Sequence, residues 1–220
     1  MDPLEDQKRA AAQAAAEDVA DGMRVGLGTG TTVAHFLAAL ARRELELVCV
    51  ATSPQTEEAA RTLGLAVQPF DLLDRLDLAV DGADQVAPDL WLVKGGGGAH
   101  TREKVVAASA DRFTVIVSSD KLVEAIHPPV PLEVMAFGLA ATLRRLGDLG
   151  PVEVRDDLSP SPDGNVIVDF HGSIGDLQAL SATLDAVTGV VEHGLYPPAI
   201  VSEVLVGRPG DRVDRLPRPG

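Results

Sequence analysis

Apolar and polar positions change period repeatedly along the first half of this chain. Leu4 to Ala20 carries apolar residues at helical spacing, Arg24 to Leu27 is a short apolar run, and Thr31 to Arg43 returns to the helical period behind a glycine-rich turn. The cycle then repeats. Leu47 to Ala51 reads as a buried strand, Pro54 to Leu63 as a helix stopped by Gly64, and Leu76 to Val80 as a strand ending in an acidic turn. A four-glycine loop, Gly95 to Gly98, precedes a helix from Thr101 to Ala110 and a strand from Thr114 to Val117. Strands alternating with helices in this way predict an α/β domain built on a parallel sheet, of Rossmann-like type.

At Pro128-Pro129 the grammar changes, because two prolines break any continuing element. Pro131 to Val134 reads as a strand and Met135 to Leu146 as a helix. Val152 to Arg155 and Asn165 to Phe170 form a strand pair around the turn-rich Ser159 to Gly164, followed by a helix from Asp176 to Val187 and a strand from Gly189 to Leu195. This β-α-β-β-α-β order predicts a smaller ferredoxin-like α+β domain over 128–197. Ile200 to Val206 is apolar enough to return as a strand to the first domain, which then comprises 1–127 and about 198–220. Three prolines and alternating charges after Gly207 read as a frayed tail.

Composition narrows the class. Of 220 residues, 45% are hydrophobic and 24% charged, ordinary globular usage that excludes a disordered chain or a disulfide scaffold. A formal net charge of −14 argues against a large surface for nucleic acid or anionic membrane, so an anionic ligand needs positive charge placed locally. One cysteine, Cys49, cannot form an internal disulfide; lying in an apolar strand, it reads as a core residue. No apolar run approaches the roughly 20 residues of a membrane helix, and the acidic, alanine-rich start lacks the layout of a signal peptide, so a cytoplasmic protein is expected. The basic residues divide into fifteen arginines and only four lysines, Lys8, Lys94, Lys104 and Lys121. Where so arginine-rich a chain keeps a lysine, a compact, flexible ammonium is a reason to keep it.

Three segments can carry chemistry. Gly26 to Thr32 lies between a strand and a helix: glycines let an anion approach the backbone, helix amides point at it, and three threonine hydroxyls add donors. A tight connecting turn would look similar. The dinucleotide template fits less well, since it requires glycine at Thr31 or at Val33. Asp81-Gly82-Ala83-Asp84 sits at a strand's carboxyl end, where two carboxylates can grip sugar hydroxyls or a metal, or form a plain Asx turn. Lys94 to Lys104 contains four consecutive glycines, an expensive choice unless side chains would obstruct something. Within it Glu103 falls in the first turn of a helix, where a carboxylate serves as a cap as readily as a base. Lys121 follows another strand end. The five histidines, His35, His100, His127, His171 and His193, show no ligand pairing, so neither metal nor cofactor is expected.

In their order and spacing, Gly26 to Thr32, Asp81 to Asp84, Lys94 to Lys104, Lys121, Pro131 to Val134 and Gly189 to Tyr196 resemble ribose-5-phosphate isomerase of the A type over nearly the whole chain. The resemblance implies a metal-independent aldose–ketose isomerase that interconverts ribose 5-phosphate and ribulose 5-phosphate through an enediolate, in the pentose phosphate pathway. It also implies a homodimer or higher homo-oligomer, acting on a small phosphosugar. Matched position by position, Glu103 is the proton-transferring glutamate, with Asp81, Asp84 and Lys94 as its companions. Thr29, Gly30, Thr31 and Thr32 form the phosphosugar turn, Lys121 is a further contact, and Gly82, Ala83, Gly95, Gly96 and Gly97 complete the substrate surface. Two positions depart from the pattern: Gln85 stands where glutamate is common, and His100 where an apolar or small residue is usual. A phosphosugar sensor needs the threonine turn but not Glu103 and Lys94, whereas a coenzyme A transferase would use a glutamate nucleophile on a similar scaffold.

Overall fold

The computed structural model describes residues 2–156 and 160–218. In chain order, α1 (Pro3–Glu17) leads into β1 (Arg24–Leu27), α2 (Thr31–Ala41), β2 (Val48–Ala51), α3 (Pro54–Thr62) and β3 (Leu76–Asp81). Two short strands, β4 (Gln85–Val86) and β5 (Leu92–Val93), precede α4 (His100–Ala108) and β6 (Ala110–Ser118). Next come β7 (Val130–Val134), α5 (Leu139–Gly147), β8 (Val152–Val154), β9 (Val166–Phe170), α6 (Leu177–Asp185) and β10 (Val190–His193). The chain closes with β11 (Leu195–Tyr196), β12 (Glu203–Arg208) and β13 (Arg212–Pro217).

The main sheet runs β13-β12-β6-β3-β1-β2, every pair parallel except β12 with β13. Its strands are apolar runs because both faces are covered. Ile116, Leu205, Leu78 and Cys49 pack beneath α1 and α2, while the alternate residues Val115, Val117, Val204, Val206 and Val50 meet Val106 and Ala107 of α4. Each such side chain, fully buried, contributes about 1.5–3 kcal/mol, and this two-sided core offsets the desolvation of charges at the sheet's end. Among the helices, α1, α3 and α6 are capped by Asp2, Ser53 and Asp176, whereas α2 and α4 begin without a side-chain cap.

A second sheet, β10-β7-β9-β8, is wholly antiparallel and carries α5 and α6 in ferredoxin-like order. Its core, with Leu132, Val168, Leu146 and Leu184, is shared with Trp91 and Val93 beside β5. A third sheet of short strands, β11-β5-β4, was not expected from the sequence; two-residue strands offer too little pattern to see.

Several boundaries differ from the sequence reading for identifiable reasons. The helix expected from Met135 starts only at Leu139, because Gly138 adopts the left-handed conformation at its N-terminus (φ +73°). The strand expected from Gly189 to Leu195 divides at Gly194, its first part pairing with β7 and its second with β5. The strand expected from Ile200 is displaced to Glu203, since Pro198–Ile200 form a 3-10 turn. The segment after Gly207 is ordered rather than frayed: β13 pairs with β12 from Glu203 opposite Pro217 to Arg208 opposite Arg212. Arg215 holds Asp18 at 2.8 Å and Glu203 at 3.1 Å. Ser159 lies outside the described residues, and Ser161 to Gly164 form a turn closed by a 2.8 Å backbone bond.

Candidate active site

Parallel strands deliver their carboxyl ends to one edge of the sheet, where open α/β folds place their ligands. Here β1 leads into Gly28 to Thr32, β3 ends at Asp81, and β6 leads into Lys121. A cavity of about 170 Å³ opens between them. Every residue expected of the site lines it except Asp81, which is buried one layer behind. Larger hollows exist; the one of about 490 Å³ between α3 and α4 is walled by Val50, Val67 and Val105, with Arg102 already paired to Asp163.

The centre of the site is ionic and almost dry. Lys94, entering from β5, donates to Gly82 O at 2.6 Å and lies 2.9 Å from Asp81 Oδ2 and 3.0 Å from Glu103 Oε2. Three acceptors match the three protons of an ammonium. Asp81 Oδ1 also accepts the amides of Thr29 (3.0 Å) and Gly82 (2.7 Å). Such proximity demands glycine at position 28, where a Cβ would stand 2.0 Å from the Asp81 carboxyl carbon. Glu103 makes no cap for α4; its carboxylate turns instead to Lys94. Its Oε2 faces the lysine off the line of a good hydrogen bond.

Burial raises both carboxyls, Asp81 against the pull of Lys94 and two amides. For Glu103, burial first and the facing Asp81 charge second outweigh Lys94 and push the carboxyl up to about 8. The lysine is itself held protonated by the two carboxylates, which overcome its burial. A carboxyl titrating near neutrality, in a cavity wall and beside a fixed positive charge, can both take and return a proton.

The other end of the cavity is built for an anion. Gly30 opens α2 at φ +125°, and Thr31 and Thr32 follow at the uncapped N-terminus. Thr29 plays a different part: its amide goes to Asp81, and its hydroxyl lies 2.9 Å from those of both Thr52 and Ser53. Two hydroxyls of the turn therefore remain for a ligand, rather than three. The sequence reading missed Lys8, whose Nζ reaches Thr31 Oγ1 at 3.1 Å and Glu5 at 2.7 Å and lines the cavity. Its signal was the scarcity of lysine: three of the four lysines, Lys8, Lys94 and Lys121, line this one cavity in a protein of net charge −14, alongside Asp84 and Glu103.

Opposite Thr29, Gly95 to Gly97 form the second wall, and Gly96 N donates to Asp84 Oδ2 at 2.8 Å. The two departures from the motif have structural accounts. Gln85 pairs with the peptide groups of His127, donating to O at 2.8 Å and accepting from N at 3.0 Å, which requires an amide. His100 is buried against Gly95, and burial together with the Lys104 charge lowers its imidazole to about 4, so it is neutral. Among the described residues, one cluster has metal-ligand types, Asp185, Glu192 and His193, but Lys104 Nζ lies 2.6 Å from Glu192 and already supplies its cation. No helix is long and apolar enough to cross a membrane among the described residues.

Comparison with known proteins places this arrangement. Residues 48–211 match the family model for ribose 5-phosphate isomerase A (phosphoriboisomerase A). The chain is 43% identical to ribose-5-phosphate isomerase A of Rhodopseudomonas palustris (strain HaA2), over 94% of this chain and 97% of the relative. It superposes on ribose 5-phosphate isomerase A from Neisseria gonorrhoeae with a TM-score of 0.93 at 29% identity, covering 99% and 98% of the two chains. A D-ribose-5-phosphate isomerase solved in complex with phospho-erythronic acid gives 0.91 at 34% identity, covering 98% and 99%.

Proposed function

This chain belongs to the ribose 5-phosphate isomerase A family, and on that premise we propose that Glu103 carries the proton on which its reaction turns. The protein is an aldose–ketose isomerase interconverting ribose 5-phosphate and ribulose 5-phosphate. Moving the carbonyl from C1 to C2 means taking the proton from C2, holding the resulting enediolate while its hydroxyl proton passes from O2 to O1, and returning a proton to C1. Glu103 in its ionised form removes the C2 proton and, after that proton exchanges with solvent, returns a proton to C1. General-base catalysis of this kind is worth about 10²–10⁴-fold.

Lys94 acts by charge. It donates to Gly82 and is ion-paired with Asp81 and Glu103, so its role is to hold a positive potential beside the developing oxyanion and to keep Glu103 in place. Asp81, behind it, fixes the Thr29 amide and thereby joins the ionic centre to the threonine turn. Asp84 keeps carboxylate lone pairs for a sugar hydroxyl beyond the one that takes the Gly96 amide. The phosphate belongs at Thr31 and Thr32, with Lys8 bonded to Thr31 and Lys121 in the same cavity wall. Phospho-erythronic acid, bound by a relative of this fold, joins a phosphate to a planar carboxylate, and that shape and charge resemble those of the phosphorylated enediolate.

The observation that carries the reading is the buried carboxyl of Glu103 in the cavity wall, raised to about 8 and 3.0 Å from Lys94. Incubation with ribose 5-phosphate in D2O containing chelator tests it: ketose should form with solvent deuterium in the product. Ketose free of deuterium would indicate hydride rather than proton transfer, and dependence on an added divalent ion would recast Asp81 and Asp84 as ligands. The reading extends to a homo-oligomer working in the cytoplasm. Support comes from Phe137, 88% exposed, with Met135 and Val191 also open, an apolar surface that pairing of chains would cover; sedimentation velocity reads the outcome.

A further inference from the structure

Four consecutive glycines have more conformational freedom to lose than any other run of that length, so the order of Gly95 to Gly98 must be imposed from outside. Part of it comes from within the site, through the Gly98 N to Gly95 O turn bond at 3.0 Å and the Gly96 N to Asp84 bond. The remainder arrives from the antiparallel sheet. Just past β8, Arg155 extends one guanidinium nitrogen, Nη1, to the carbonyls of Gly95 (3.0 Å) and Gly96 (3.1 Å). Its other two nitrogens are locked on Asp169 of β9, at 2.5 and 2.6 Å. Both side chains are largely buried.

We propose that Arg155, held by Asp169, is a positioning residue that sets the orientation of the glycine-loop amides toward the reacting sugar. A trans peptide points its N–H opposite to its carbonyl. Gly95 O rests on Arg155, and the next amide, Gly96 N, accordingly faces Asp84 on the cavity side. By the same geometry, anchoring Gly96 O turns the Gly97 amide away from the guanidinium, and Gly97 itself lines the cavity. A planar fork with separate donors for carboxylate and carbonyls performs this task, and a lysine ammonium lacks that geometry. The antiparallel sheet thus bears on the catalytic step without touching substrate. This assignment rests on the placement of the reaction in the cavity beside Glu103.

The test compares Arg155→Ala, Arg155→Lys and Asp169→Asn with the parent protein, each verified as folded by its thermal transition, for isomerisation of ribose 5-phosphate. Preorganised amides act on developing charge, so kcat should fall at least about tenfold in Arg155→Ala while KM moves less than about threefold. Arg155→Lys should fall nearly as far and Asp169→Asn part of the way. Millimolar guanidinium should restore kcat in Arg155→Ala; the same ion would aggravate a defect that was merely one of stability. Wild-type kcat in Arg155→Ala, a loss confined to KM, or a loss that guanidinium leaves unrestored overturns the assignment. Glu103→Gln, run alongside, separates this from the underlying reading. If that variant turns over normally the role of Glu103 fails, whereas the Arg155 result is judged on its own kcat and rescue.

Discussion

Replacing Glu103 by glutamine should remove activity and raise stability in the same molecule, because the burial proposed to make the residue a base is also a strain on the fold. Glutamine keeps the shape and cannot accept a proton, so kcat should fall about 10²–10⁴-fold while affinity for phosphosugar holds. The stability effect follows from the carboxyl's elevation from 4.5 to about 8 on folding, caused first by burial and then by Asp81. At about 1.4 kcal/mol per tenfold, that elevation bounds the cost of ionising Glu103 in the native protein at about 5 kcal/mol. That elevation already contains the attraction to Lys94, so at pH 9 glutamine should gain stability up to that bound, read as an upward shift of Tm. The sign depends on pH in a definite way. Below pH 4.5 the carboxyl is protonated whether folded or unfolded, and the two proteins should melt alike. The gap should open between pH 4.5 and about 8 and stay constant above. Over the same range kcat/KM of the parent protein should climb toward a plateau above about 8, as the free enzyme's base ionises. Calorimetric melts from pH 4 to 9, beside initial rates of ketose formation, provide the comparison. A folded Glu103→Gln protein with kcat within tenfold of the parent, or with a Tm difference that ignores pH, refutes the argument.

Removing the hydroxyls of Thr31 and Thr32 together deletes donors worth about 1.5–3 kcal/mol each toward a charged acceptor. The double alanine variant should therefore lose tenfold or more in affinity for ribose 5-phosphate by calorimetric titration, with unphosphorylated ribose unaffected; equal losses for both sugars would place the turn against the sugar ring. Gly28→Ala sets a methyl 2.0 Å from the Asp81 carboxyl carbon, so it should cost about 1–3 kcal/mol in thermal unfolding and displace the carboxylate that holds Lys94, with kcat falling in step. Unchanged kinetics there would separate Asp81 from the reaction. Cys49 lies at the centre of β2 with its thiol pushed up to about 12 by burial, and at pH 8 a thiol reagent should label it only after denaturant is added.

Much of this was legible in the chain because period and punctuation agree. The parallel strands read as uninterrupted apolar runs, and the glycine turns after β1 and β5 fall where the chain must pass close to Asp81 and Asp84. Other features lay beyond local pattern. Lys8 sits on α1, 23 residues ahead of the Thr31 hydroxyl it meets, and nothing in its helical neighbours marks it as part of a site. That the Thr29 hydroxyl faces inward depends on Thr52, Ser53 and Thr56, contributed by the next βα connection. Arg155 gave no sign at all, since what it holds in the glycine loop is backbone carbonyls, which every sequence has. The C-terminal segment was misread because alternating charge is the signature both of a frayed tail and of an exposed edge strand. Val213 and Leu216, half-buried three residues apart and packed against the cores on opposite faces of the sheet, decide between the two.

That last strand also determines how the molecule behaves in company. Without β13, the margin of the main sheet would be β12, whose Val204-Leu205-Val206 is a wholly apolar stretch with a full row of backbone groups free to recruit another chain. As folded, the margin carries Arg212, Asp214 and Arg215 and ends at Pro217, which has no N–H to offer. Charge and a missing donor are two of the means by which natural sheets refuse further strands. Trimming the chain after Gly207 would therefore leave the cleft's own residues in place while making the protein prone to edge-to-edge aggregation, and a yield problem in such a truncation would have its origin at the sheet margin rather than in the cleft.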